Sequence, residues 1–261
     1  MLINFRKFRV EYAVLAVLAV TVVSIAYILR PKEIPIYPTE RITIPEGYNI
    51  EQIDDLLFKK GIISERGSLI SISAGELGGE YWFLKDTDSL EGFLFPDTYE
   101  FFLDSNPKIV AKKFLDNWKD KASNLFISKE DVFKRVILAS MVEKEVPDSK
   151  DERALVAGIL LKREKAGMYL QVDSTLCYAK DKLACKEVVP SDKKIDSLYN
   201  TYKNKGFPPG PISNPGLSAI KAALYPKSSE YWYFISDPET GRTVFAQTLD
   251  EHTQNIVKYL R

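Results

Sequence analysis

The residues best suited to chemistry lie in one segment, Ser128–Val146, which reads SKEDVFKRVILASMVEKEV. Ser128, with Asp131 three residues on, is a capping-box-like start for a helix. At about 100° per residue, Val132, Val136, Ala139, Ser140 and Glu143 fall near 0, 40, 340, 80 and 20°. Glu143 therefore sits inside a stripe of apolar and small residues. Phe133, Ile137, Leu138, Met141 and Val142 cover most of the remaining surface, and a helix apolar nearly all round is a buried one. Burying an ionised carboxylate is costly, so such a group holds its proton toward neutral pH, the profile of a general acid. A second reading stays open at this point, in which Glu143 pairs with a buried Arg or Lys or caps a neighbouring backbone. Glu145 points to the opposite face, so the two glutamates cannot serve one site on an intact helix.

Other chemistries have little to work with. The chain has 261 residues with 36 acids against 36 bases, a balance that argues against nucleic acid as a partner. His252 is the single histidine, so neither a histidine-rich metal site nor a Ser-His-Asp triad is easily built. There is no P-loop, G-x-S-x-G or H-E-x-x-H motif. Catalysis, if present, is expected to use carboxylates. Cys177 and Cys185, eight apart, suit a disulfide closing a short loop if the body is exported.

The elements that must position these groups follow from punctuation and periodicity. Tyr12–Leu29 is an uncharged apolar run that as a helix spans about 27 Å, close to a bilayer core. Arg6, Lys7 and Arg9 precede it, which favours a cytoplasmic N-terminus (residues 1–11) and an exported body. A cleaved signal peptide is the competing reading. Residues 30–40, rich in proline, form an extended spacer. Arg41–Ile44 reads as a strand, Asn49 caps a helix to Lys60, Ser64 caps a second helix to about Ser73, and Tyr81–Leu84 reads as a strand. Pro107–Lys121 and Asp151–Ala166 read as helices, the latter stopped by Gly167, with Gln171–Thr175 extended or in a loop. Asn214-Pro215-Gly216 opens another helix, with Asn214 as its N-cap. Tyr231–Ile235 and Thr243–Ala246 make a hairpin, and Thr248 with Glu251 caps the last helix.

The segments ILASMVEKEV (Ile137–Val146), LQVDST (Leu170–Thr175), YNTY (Tyr199–Tyr202), GFPPGPISNPG (Gly206–Gly216), FAQTLDEH (Phe245–His252) and EGFLFPDTYEF (Glu91–Phe101) occur in an order that resembles the YceG-like endolytic murein transglycosylases. The resemblance implies an α+β protein with a single N-terminal transmembrane helix over residues 12–29. It also implies a small LysM-like βαα-type module over 41–88 and a mostly helical catalytic domain with a few strands over 89–261. It implies a membrane-anchored lytic transglycosylase that cleaves the MurNAc–GlcNAc β-1,4 bond of nascent peptidoglycan strands. The products carry 1,6-anhydro-MurNAc ends, and cleavage terminates glycan elongation beside a peptidoglycan synthase complex at the plasma membrane. It assigns Glu143, the first glutamate of V-E-K-E, as acid and base. Gln171, Asp173, Ser174, Thr175, Tyr199, Asn200, Tyr202, Phe207, Asn214 and His252 become substrate-binding candidates, with no metal and no cofactor. A glycoside hydrolase using water and a second carboxylate such as Asp173, or a non-catalytic wall-binding scaffold, are the alternatives.

Overall fold

A computed structural model describes residues 5–28, 38–129, 131–146, 149–181, 183, 185 and 188–260. It has two compact units, 1–37 and 38–261. The first contributes helix α1, Phe5–Ile28. Its described apolar side chains, Leu15, Val17, Leu18, Val20, Val22, Val23, Ile25 and Tyr27, are all exposed. Among the described residues no helix is long and apolar enough to cross a membrane. The span expected over Tyr12–Leu29 is therefore not established; Leu29 and most of the expected spacer, to Tyr37, lie outside the described residues.

The second unit opens with β1 (Thr39–Thr43), which pairs antiparallel with β2 (Thr98–Phe102), Ile42 opposite Tyr99. Both alternate exposed and buried residues, the period-2 pattern of a ladder with one face on a core. Helix α2 (Ile50–Lys59) lies between them in the chain, started by an Asn49–Gln52 capping box. The expected helix from Ser64 does not form. The carboxylate of Asp54, fully buried, accepts the N–H groups of Gly67 (2.6 Å) and Leu69 (2.9 Å), and Gly67 has φ +85°. A left-handed residue there breaks any helix, and the buried carboxylate ties the segment into turns instead. The expected strand at Tyr81–Leu84 is also absent: Trp82–Leu84 is a 3₁₀ turn. Phe83 and Leu84, adjacent in sequence, are both buried, which a one-faced strand cannot achieve. Phe83 instead packs on Trp118 (centroids 4.2 Å) and Phe93 (5.6 Å). Each such ring, fully buried, contributes about 1.5–3 kcal/mol of transfer free energy.

Helices α3 (Pro107–Lys121), α4 (Val132–Glu145), α5 (Lys150–Lys165), α6 (Asp173–Lys180) and α7 (Leu217–Leu224) follow. Helix α4 starts later than its sequence suggests, with Asp131 rather than Ser128 at the N-cap position. Its residues Val136–Val142 are all buried, as its all-round apolarity requires. Helices α4, α5 and α7 pack on one another. Gly158 on α5 lets the chain after α7 come close: a Cβ there would lie 1.9 Å from the Lys227 carbonyl oxygen. The chain ends with the hairpin β3 (Tyr233–Ser236) and β4 (Thr243–Ala246), Tyr233 opposite Ala246, and with α8 (Leu249–Tyr259) resting on it. Thr248 caps α8 by accepting Glu251 N–H, as its sequence predicts. Cys177 on α6 and Cys185 form a disulfide.

Candidate active site

The two glutamates at the end of α4 diverge, as their spacing requires, into different surroundings. Glu143 points to the junction of α4, α5 and α7. One carboxylate oxygen accepts Arg153 Nη2 at 2.7 Å, and the other accepts the N–H of Gly216, the N-cap of α7, at 3.0 Å. The Glu143 and Arg153 side chains are only 5% and 3% exposed. Burial raises the Glu143 pKa, and the Arg153 guanidinium and the Gly216 N–H offset that rise only in part. Arg153 also donates to the Val146 carbonyl and lies 4.0 Å from Glu46. This is the ion-paired alternative left open by the periodicity, and it engages both Glu143 oxygens.

Glu145 lines a cleft of about 560 Å³ whose walls come from α4, α5, α6, the hairpin and α8. Its carboxyl accepts Ser174 N–H at 3.2 Å in the first turn of α6. Burial raises its pKa, and the nearby Asp173 carboxylate raises it further against the pull of Ser174 and Lys144. Two carboxyls in one cleft resist joint ionisation, which favours the protonated form of Glu145. Asp173, at the start of α6, accepts the Tyr202 hydroxyl at 2.5 Å. Burial and that hydrogen bond raise the Tyr202 pKa, so Tyr202 remains a neutral donor. Gln171 enters the cleft from a left-handed backbone, φ +52°, a conformation costly for a residue with a side chain. His252 on α8 stacks on Tyr233 (5.1 Å), and burial with the Arg163 charge lowers its pKa, which favours neutral imidazole. Its Nδ1 is buried with no partner among the described residues.

The structure thus brings Gln171, Asp173, Tyr202 and His252 together, with Ser174 at the edge through its backbone. It does not bring Glu143 with them. Several other candidates lie outside the cleft. Thr175 is fully buried and bonds Val172 O and Thr201 Oγ1. Asn200 is fully buried and donates to the Lys193 and Ile195 carbonyls. Asn214 does not cap α7: it accepts Leu94 N–H and donates to Tyr48 O and Glu91, pinning the proline-rich loop to the N-terminal part of the unit. Tyr199 packs on Tyr178 (4.8 Å) beside a separate cavity of about 470 Å³. Phe207 packs against the core under Lys134. Gln171–Thr175 is not simply extended, because α6 begins at Asp173.

Glu145, Arg163, Tyr233 and Lys193 also line the cleft, although none of them is among the site candidates drawn from the sequence. A signal for Glu145 was present: residues three, four and seven positions before it are Val142, Met141 and Leu138, a stripe as apolar as that above Glu143. Periodicity alone ranks both glutamates as buried. Chemically, the cleft gathers a carboxyl whose pKa burial raises, a second acidic side chain, and hydroxyl and imidazole groups, a set that can serve general acid chemistry.

Comparison with known proteins agrees with this architecture. An endolytic murein transglycosylase of Bacillus subtilis is 39% identical over 176 residues, covering 66% of this chain and 48% of the relative. One of Streptococcus pneumoniae is 30% identical over 262 residues, covering 88% and 46%. The chain thus spans about half the length of the curated relatives it matches. A solved yceG-like protein of Listeria monocytogenes superimposes with a TM-score of 0.73 at 32% identity, covering 84% of this chain and 76% of that one. Residues 19–258 match the YceG-like family, and the chain belongs to it.

Proposed function

We propose that this protein is a lytic transglycosylase acting on peptidoglycan, with Glu145 rather than Glu143 as its acid and base. The observation that carries the assignment is the cleft in which Glu145 meets Gln171, Asp173, Tyr202 and His252, while Glu143 spends both oxygens on Arg153 and Gly216. In the first step protonated Glu145 gives its proton to the glycosidic oxygen between MurNAc and GlcNAc as the C1–O bond breaks. In the second, the Glu145 carboxylate takes the proton of the muramyl C6 hydroxyl as O6 bonds to C1. The product end is 1,6-anhydro-MurNAc, Glu145 is again protonated, and no water is consumed. Intramolecular attack carries a large effective-molarity advantage over water. Asp173 and Tyr202 would support the oxocarbenium-like transition state, and no metal or cofactor takes part.

The uncharged apolar stretch from Tyr12, with Arg6, Lys7 and Arg9 before it, supports reading the N-terminal segment as a single-pass anchor with the body outside the cytoplasm, where cleavage of nascent strands would end glycan elongation beside a synthase. The LysM-like module proposed from Arg41 would need β2, the ladder partner of β1, to complete it.

Asp173 beside Glu145 favours one second reading, hydrolysis by water with Asp173 as the second carboxylate. Mass spectrometry of uncrosslinked strands treated with the wild type, Glu145→Gln and Glu143→Gln decides among these. Anhydro ends made by the wild type and by folded Glu143→Gln, but not by Glu145→Gln, are expected. Reducing ends would establish a hydrolase. Loss of cleavage only in a folded Glu143→Gln variant would return the acid role to Glu143.

A further inference from the structure

We infer that Arg163 is a specificity-determining residue that binds a carboxylate on the lactyl–peptide arm of the muramyl unit. The inference rests on the proposed peptidoglycan cleft and names what that cleft reads beyond the sugar ring.

Helix α5 carries two buried arginines, 3% and 5% exposed. Arg153 has the carboxylate of Glu143 at 2.7 Å. Arg163, in the last turn, lines the cleft and pairs with no carboxylate among the described residues. Its Nε donates to Trp232 O and its Nη1 to Leu170 O, both at 2.7 Å, and both acceptors are neutral carbonyls. The Tyr233 ring lies 5.1 Å from the guanidinium carbon. A guanidinium has five N–H donors in a planar fork, so these two bonds leave donors unspent. A buried cation without a counter-charge is unfavourable, and an anionic ligand is what relieves it.

The rest of the cleft restricts where an anion can sit. Glu145 and Asp173 are acids and repel one. Tyr202 donates to Asp173 and also feels the Arg163 charge, so it stands between an acidic end and a cationic end. The glycan backbone of alternating N-acetyl sugars is neutral. The carboxylates of a nascent strand are carried on the lactyl–peptide arm of every muramyl unit. An arm held at the Arg163 end would also fix which sugar presents its C6 hydroxyl at the Glu145 end.

A purely structural Arg163, tying α5 to the Leu170 and Trp232 carbonyls, would not distinguish charged from neutral ligands. The test is calorimetric binding of the GlcNAc–MurNAc disaccharide carrying its stem peptide to the full chain in detergent. The same fragment with its carboxylates methyl-esterified is compared at low and high salt. The free acid is expected to bind about tenfold or more tightly, as a charge-assisted pair would give, with the ratio shrinking in salt. Arg163→Gln is expected to abolish the ratio and Arg163→Lys to restore part of it. Equal affinity of acid and ester for the wild-type chain, or binding of neither, overturns the inference, and neither result depends on a variant folding. Strand cleavage by the wild type is followed in parallel. A preference for the acid without anhydro ends would overturn the proposed reaction and leave the Arg163 assignment standing.

Discussion

Glu143 and Glu145 are separated by one residue and differ in what faces them. A carboxylate opposite a buried guanidinium is locked in a structural pair, and breaking such a pair strands a buried charge at a cost of about 3–5 kcal/mol. Glu143→Gln is therefore expected to lower the unfolding midpoint substantially in thermal or urea denaturation. Glu145→Gln should leave it unchanged or raise it, because Glu145 pairs with no buried guanidinium among the described residues. The pH dependence follows. A carboxyl whose folded pKa lies above its unfolded value binds its proton more tightly when folded. It thus favours the folded state least once pH has risen past the folded pKa. Wild-type stability should fall as pH rises from the unfolded value near 4.5 through the raised folded value, and Glu145→Gln should lack that component. Urea titrations of both proteins at stepped pH check this; parallel curves would remove Glu145 as a buried, proton-holding acid. The same titration sets the activity profile, since a general acid loses its proton, and the rate falls, as pH passes its pKa.

At the scale of elements, the site depends on how closely α5 meets the chain after α7. Gly158→Ala would place a methyl 1.9 Å from the Lys227 carbonyl oxygen, where backbone rather than a flexible side-chain end must give way. A loss of about 1–3 kcal/mol is expected, as for other overpacked sites, measurable in urea unfolding. Helix α8 is the opposite case: it has no buried residue, yet its Leu249, His252 and Ile256, with Leu260 at its C-cap, line the cleft. A chain ending at Gln247 is expected to keep nearly all of its stability by thermal melting while losing strand cleavage by at least about tenfold, the size of effect common for lost positioning contacts. An equally active truncation would remove α8 from the site. The helix expected at Ser64 and the strand expected at Tyr81 failed for contacts that local spacing does not reveal. The first lost its amides to Asp54, 13 residues before Gly67, and the second followed Phe83 into the ring cluster with Trp118.

For the whole molecule, residues 38–261 form a compact unit separate from residues 1–37. A protein beginning at Pro38 is expected to melt at the temperature of the full chain and to remain soluble without detergent. The full chain should sediment with membranes through α1. A fall of many degrees on removing residues 1–37 would show that the folded unit depends on them. Within that unit the Glu145 cleft and the buried Glu91–Asn214 linkage are distinct: Asn214 joins the proline-rich loop to the Glu91 segment by hydrogen bonds, and it does not line the cleft.

The sequence by itself determined the helices with strong caps or periodicity, α2, α3, α5 and α8, the terminal hairpin, and the family. It also determined that α4 is buried and that its two glutamates part company. These are properties of short-range spacing, capping geometry and motif order, all written along the chain. Only the tertiary structure decided which glutamate meets a cation and which meets a cleft. Arg153 and Gly216 lie 10 and 73 positions from Glu143, and Tyr202 and His252 join Glu145 from helix and loop segments far along the chain. A carboxyl's chemistry is set by the charges and donors within a few ångströms of it, and folding, rather than sequence distance, chooses those neighbours.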